Sequence, residues 1–244
     1  NEEQKRAVNY GIEPSPNKAA ETTPPLLIIA GAGTGKTNTL AHKTAQLLLN
    51  GADPDKLLLV TFARRAAFEL SSRANTIIEQ QLKRLNKPYQ PVKIPWMGTF
   101  HSIAARLLRE HAQAIGLESD FTIMDRNDAA DMLDVLRHEL GFSNSHKRFP
   151  KKKTCLEIYS RCVNSRDALN EVLTEFFPHC GDWVDELKTL FAAYAKMKAE
   201  QLSLDYDDLL LYCYHMAQVP EIATQVRAQF EHILVDEYQD TNVL

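Results

Sequence analysis

Gly31, Gly33 and Gly35 alternate along the chain just after an apolar run at residues 26–30 and just before Lys36-Thr37. Glycine lets the backbone turn tightly enough for successive N–H groups to point inward, which makes a cradle for an anion. The loop would be formed by Gly31, Ala32, Gly33, Thr34 and Gly35, with Lys36 reaching the β- and γ-phosphates and the Thr37 hydroxyl on Mg²⁺. A helix starting at this point adds its N-terminal dipole. The strict pattern asks for a further glycine where Ala30 stands, whereas the Lys-Thr pair directly after the last glycine is not explained by a mere tight turn. Two hundred residues later, Asp236-Glu237 follow the short apolar run His232–Val235. Carboxylates at the C-terminal end of a strand lie where open α/β sheets bind their ligands. Asp236 would hold Mg²⁺, and Glu237 would orient and deprotonate an attacking water. The chemistry is hydrolysis of a nucleoside triphosphate. Guanine is disfavoured, because Asn86-Lys87-Pro88-Tyr89 lacks the aspartate that reads it and no D-x-x-G occurs, so the expected nucleotide is ATP.

The elements that must position these residues follow from periodicity. Residues 1–9 read as a short helix, and residues 14–25 as a connector rich in Pro and Thr. Residues 26–30 read as a buried parallel strand, followed by a helix through residue 50 that Gly51 closes. Residues 56–62 read as a second strand, residues 63–81 as a helix and residues 94–97 as a third strand before a helix that starts near Gly98. Strand–helix units in succession imply a parallel α/β sheet. From about residue 107 to 203 the pattern is helical only: Leu133, Leu136 and Leu140 share one face, as do Val184, Leu187, Phe191 and Tyr194 behind Asp182, the expected N-cap. Two more helices, near residues 205–217 and 221–230, lead to the last strand.

The 244 residues suffice for one large or two modest domains, and a hydrophobic fraction of 44% with 25% charged residues fits a soluble globular protein. The net charge of −4 conceals an asymmetry. Residues 1–104 carry 13 Lys and Arg against 8 Asp and Glu, residues 105–203 carry 14 against 16, and residues 204–244 carry 1 against 8. A polyanion would therefore be sought at the N-terminal part. Cys155, Cys162, Cys180 and Cys213 show no paired spacing, which points to reduced thiols and away from zinc or iron–sulfur sites. No signal peptide or apolar run of membrane-spanning length is present, so the expectation is a cytoplasmic protein with no membrane partner. Starting at Asn1 and stopping just past an acidic motif, the chain reads as an excised fragment.

The motifs, in order, resemble those of a family. NEEQ at residues 1–4, AGAGTGKT at 30–37, TFARRAAFEL at 61–70, GTFHS at 98–102, LDYDDLL at 204–210 and VDEYQDTN at 235–242 are similar to the N-terminal motifs of UvrD/Rep-type superfamily 1 DNA helicases. The resemblance implies a RecA-like P-loop NTPase domain (1A) at 1–104 and 204–244, interrupted by an all-helical subdomain (1B) at 105–203. It also implies that Gln4 reads the adenine edge and that Gln239 couples the nucleotide to DNA-contacting segments. The full-length protein would be a DNA-dependent ATPase that moves 3′ to 5′ along single strands and engages ss/ds junctions. In the family ATP lies between two RecA-like domains, and the second, with its arginines, would lie beyond this chain. A fragment of this kind would be monomeric, bind nucleotide weakly, hydrolyse it barely and unwind nothing. Two alternatives remain open: a helicase–nuclease, whose nuclease would also lie downstream, and a regulatory module that has kept the fold and lost the motor. Departures from the family pattern are Asn38 where an arginine often packs on the base, and Ala63-Arg64-Arg65 where T-N-K is usual.

Single-stranded DNA is held by cations, backbone donors and aromatic faces. Thr61, Phe62, Arg64 and Arg65 follow one strand, and Thr99, Phe100 and His101 follow another, so both sets can share one rim of the sheet. Core packing is the competing reading for Phe62 and Phe100. Tyr206 is expected to be structural, with Asp207 and Asp208 capping or bracing their helix. The run from Lys147 to Lys153 puts five cations in seven residues, either a solvated loop or a contact to duplex DNA.

Overall fold

The computed structural model describes residues 1–12, 24–31, 33–144 and 149–244. These divide into two compact units, Asn1–Ile103 with Gln225–Asp240, and Ala104–Thr224 with Thr241–Leu244. Overall the protein is α/β, mostly helical, with a small parallel sheet.

The first unit begins with α1 (Glu2–Asn9), which starts in a capping box: the Asn1 side chain accepts from the Gln4 amide, and the Gln4 side chain returns the bond. None of its residues is buried. Helix α2 (Lys36–Leu49) starts directly from Gly35 and buries Thr39, Ala41, Thr44, Ala45 and Leu47. Strand β1 (Leu57–Thr61) is buried along its whole length and is central in the sheet, between β2 (Trp96–Thr99) and the last strand of the chain. Helix α3 (Arg64–Arg84) packs Leu70 against Leu59 and Ala41, while Leu47, Leu57 and Ile94 form an adjoining cluster. Burying one such aliphatic side chain is worth roughly 1.5–3 kcal/mol, so the sheet is held mainly through β1. Helix α4 (Phe100–Glu110) follows β2 without an intervening loop.

The second unit is built on helices α5 (Arg126–Glu139), α6 (Lys152–Ser165), α7 (Leu169–Phe176) and α8 (Val184–Glu200), packed around Leu133, Ile158, Leu173, Leu187, Leu190 and Tyr194. Leu133 and Leu136 of α5 and the expected face of α8 point into this core, whereas Leu140, the C-cap just past the end of α5, is exposed. Two details differ from expectation. Residues 107–203 are not purely helical, because β3 (Thr122–Ile123) pairs in parallel with β4 (Ser203–Leu204). A two-residue ladder leaves no periodicity to read, since its partners lie 81 residues apart in the chain. The N-cap of α8 is Trp183, because a 3₁₀ segment at Pro178–Trp183 runs directly into the helix and takes Asp182 into its own last turn.

Asp205 caps α9 (Tyr206–Ala217) in a further capping box with Asp208, and α10 (Pro220–Gln229) leads to β5 (His232–Val235). Lys198, only 3% exposed, donates to Asp205 at 2.7 Å and Asp208 at 2.5 Å, and Tyr194 donates its hydroxyl to the same Asp205 oxygen. Burial first, and then the neighbouring Asp205 carboxylate, push Asp208 up to about 6 despite Lys198. A carboxyl raised in this way binds its proton more tightly when folded. Its contribution is therefore fully present below the ordinary carboxylate value and is lost as pH rises through about 6. The unfolding free energy of wild type minus Asp208→Asn should fall between about pH 4 and pH 6 in urea titrations; a flat difference would contradict this.

All four cysteines are free, and burial raises Cys155 and Cys213 to about 12, so they are inert thiols. Among the described residues no helix is long and apolar enough to cross a membrane.

One expected element is missing. Residues 26–30 form no strand: Leu26, Leu27 and Ile28 are exposed and Ile29 is 88% exposed. A strand exists only through its ladder, and an apolar run does not specify a partner. Among the described residues no neighbouring backbone pairs with it, and the sheet order is β2-β1-β5. Most of the connector expected at residues 14–25 lies outside the described residues.

Candidate nucleotide and nucleic-acid site

The site is assembled at the C-terminal ends of three parallel strands. The ladder pairs Thr61 with Thr99 and Val60 with Val235, so Phe62, Phe100 and Asp236 emerge from one rim. On that rim the Thr37 hydroxyl lies 3.4 Å from the Asp236 carboxylate, although 199 residues separate them in the chain. The two halves of the expected phosphate site are thus brought together.

Gly33 and Gly35 have φ of 76° and 90°, the left-handed region in which a Cβ is costly. Thr34 closes the turn by donating to the Gly31 carbonyl at 2.7 Å. Lys36 folds over the loop and donates to the carbonyls of Ala30 at 3.0 Å and Gly31 at 3.4 Å. Ala32 lies outside the described residues. Gln4 donates from Nε2 to the Thr34 carbonyl at 2.9 Å, tying α1 to the loop. Between α1 and the first turns of α2 lies a groove of about 280 Å³ lined by Gln4, Val8, Asn9, Asn38, His42 and Gln46, among others.

Asp236 is 6% exposed, and burial followed by the Glu237 charge raises its pKa. A divalent cation would relieve both penalties. Octahedral Mg²⁺ places adjacent oxygen ligands roughly 3 Å apart, so the Thr37–Asp236 pair fits it, with remaining positions left to water and phosphate. Glu237 has a φ of 52°, a left-handed backbone that a non-glycine residue adopts at a cost of about 1–3 kcal/mol. Its carboxylate accepts from the Gln239 amide, which fixes the side chain.

On the remainder of the rim, the Phe62 and Phe100 rings lie 4.9 Å apart and tilted by 51°, with Phe62 exposed. Phe62 is at the surface, while Phe100 is half-buried beneath it, so packing accounts for part of Phe100 and not for Phe62. Thr61 is buried and donates to the Ala63 carbonyl, Arg65 pairs with Glu69, Arg64 is exposed and His101 is half-buried. Thr99 accepts from the Ser102 amide, and the Ser102 hydroxyl returns a 2.8 Å bond to the Thr99 carbonyl. A Cβ on Gly98 would meet Ser102 Oγ at 2.4 Å. Gly98→Ala should therefore lower stability by about 1–3 kcal/mol, and adding Ser102→Ala should recover most of it in chemical denaturation. If the double variant is no better than the single one, the contact is not the cause.

Residues 12–244 match the model of the UvrD/REP helicase N-terminal domain. The chain belongs to the UvrD/REP helicase family. Relatives include the ATP-dependent DNA helicase PcrA of Bacillus subtilis (strain 168), 33% identical over 95% of this chain and 30% of the relative. PcrA of Staphylococcus aureus (strain Mu50) is 33% identical over 93% of this chain and 29% of the relative. The chain thus spans about 30% of the length of these relatives. Within this UvrD/REP chain, the basic run Lys147–Lys153 does not behave as one loop. Its described part is anchored by Phe149, buried in the helical core, and by Lys152, which pairs with Asp131, whereas Lys147 and Arg148 lie outside the described residues. Asp207 accepts from Asn164 at 2.6 Å, bracing α9 against α6. Sequence reasoning missed Lys43 and Ser102. Lys43 donates to carbonyls at the end of α1, a use that no local pattern announces. Ser102 belongs to a quoted motif, and its role could have been found from the glycine four residues before it.

Proposed function

We propose that this chain is the ATP-binding part of an ATP-dependent DNA helicase or translocase. The observation that carries the reading is the approach of Thr37 to Asp236 at 3.4 Å, which joins a phosphate loop to an acidic strand end. In this reading residues 1–104 and 204–244 are the RecA-like domain 1A and residues 105–203 the helical insert 1B, although residues 204–224 fall in the same compact unit as the insert. Incoming phosphate displaces Lys36 from the Ala30 and Gly31 carbonyls, and the lysine then follows the β- and γ-phosphates. Backbone N–H groups of residues 31–35 and the N-terminus of α2 hold the remaining charge. Thr37 and Asp236 would hold Mg²⁺, which when bound neutralises developing charge on the phosphates. Glu237, held by Gln239, takes the proton of the attacking water. After its bond to Thr34, Gln4 retains one N–H and an acceptor lone pair, which match the adjacent acceptor and donor of an adenine edge.

DNA lies along the rim formed by Phe62, Arg64, Arg65, Phe100 and His101, with Thr61 and Thr99 at its base. The exposed Phe62 ring, backed by Phe100, offers a stacking face worth about 1–3 kcal/mol per base, and the arginines contact phosphates. In the full-length protein a second RecA-like domain supplies an arginine to the γ-phosphate, an effect of roughly 10³ to 10⁵ in rate. Movement is 3′ to 5′ on single strands, with unwinding at ss/ds junctions.

Steady-state ATP hydrolysis with and without single-stranded DNA tests this reading. The full-length protein should show stimulated turnover, and the 244-residue chain should bind MgATP while turning over barely. A full-length protein with no DNA-stimulated hydrolysis would overturn the motor assignment. Multiple stimulated turnovers by the shorter chain would overturn the role given to the second domain.

A further inference from the structure

We propose that Lys43 is the positioning residue that gives the nucleotide site its grip on the base, by holding α1, and with it Gln4, against the phosphate loop. The inference rests on the nucleotide reading above. Helix α1 brings no buried residue to the fold, so apolar packing does not fix its place. Polar ties do. At its N-terminal end Gln4 bonds the Thr34 carbonyl, and just beyond its C-terminal end the Tyr10 hydroxyl donates to the Pro24 carbonyl at 3.0 Å. Lys43, on α2, donates to the Val8 carbonyl at 3.1 Å and to the Tyr10 carbonyl. These carbonyls belong to the last turn and exit of α1, where unpaired acceptors and the negative end of the helix dipole gather. A cation there is attracted without needing a carboxylate. Burial lowers the Lys43 pKa, which marks an ammonium drawn from water into this contact.

The geometry then sets a lever. Gln4 and Val8 line the base groove from α1, one helical turn apart, while Asn38, His42 and Gln46 line it from α2. Lys43 spans the two helices next to His42, so it fixes the width of the groove and the aim of the Gln4 amide without touching the nucleotide. The phosphate loop has its own internal bond, from Thr34 to Gly31, and among the described residues does not contact Lys43. Loss of Lys43 should therefore weaken recognition of the base and spare recognition of the phosphates.

The test is calorimetric titration of the 244-residue chain with MgATP and with inorganic tripolyphosphate plus Mg²⁺, comparing wild type, Lys36→Ala, Lys43→Met and Lys43→Arg. Lys43→Met should weaken ATP about tenfold, the loss expected of one charge-assisted hydrogen bond, and leave tripolyphosphate within about twofold. Lys43→Arg, which keeps charge and donors, should restore most of the ATP affinity. Equal weakening of both ligands by Lys43→Met would mean a merely structural role and overturn the proposal, as would no change in either. Wild-type binding of ATP no tighter than tripolyphosphate would also overturn it while leaving the phosphate site standing. If Lys36→Ala binds both ligands as wild type does, the nucleotide reading itself fails.

Discussion

Replacing Lys36 with alanine should lower DNA-stimulated ATP turnover of the full-length protein by about 10²- to 10³-fold, the usual loss when one preorganised donor to developing charge is removed. The fold should not suffer. Among the described residues Lys36 is hydrogen-bonded to the carbonyls of Ala30 and Gly31 on an exposed loop, and water can replace the lysine at both. The variant should therefore keep the wild-type unfolding midpoint while losing turnover, a separation that thermal melts and steady-state kinetics measured side by side would detect. A loss below tenfold would mean that the lysine does not move from the loop carbonyls to the phosphates.

Lys198→Met should have the largest effect on stability, about 3–5 kcal/mol, because it strands two buried carboxylates. Asp205 and Asp208 are both nearly inaccessible to water, and both depend on the Lys198 ammonium. The cost is that of leaving the partners unpaired and does not measure the worth of the ion pairs. The triple variant Lys198→Met, Asp205→Asn, Asp208→Asn should accordingly recover much of the loss, since Asn still caps a helix and carries no charge. Urea denaturation followed by circular dichroism would compare the three proteins. A single variant within about 1 kcal/mol of wild type, or a triple variant worse than the single, would contradict this account of the cluster.

How much could be read beforehand differs by element. Strand β5 stands where the apolar run His232–Val235 placed it, and β1 and α2 lie within two residues of expectation, because each carries a pattern along its own length. The phosphate loop and Asp236-Glu237 were legible as motifs, and the structure brings Thr37 to Asp236. Contacts fixed by distant partners were not legible. The Lys198 cluster joins α8 to the start of α9; helical spacing puts Lys198, unlike the exposed Lys196, on the apolar face of Phe191 and Tyr194, but no local pattern names Asp205 and Asp208 as its partners. Residues 26–30 failed in the opposite sense, with a strong local pattern and no ladder among the described residues. The tie between Lys43 and α1 lay beyond reach for the same reason as β3 and β4, since only the folded chain brings the partners together.

Strand β5 closes one side of the sheet with a backbone edge that has no ladder partner among the described residues, and its Ile233 is 61% exposed. Such an edge is a template on which a second molecule can add a strand. The exposed apolar residues Leu27 and Ile29 are suitable material for that addition. Self-association by this route consumes folded protein, so its rate should rise with the square of concentration and respond little to additives that raise the melting temperature.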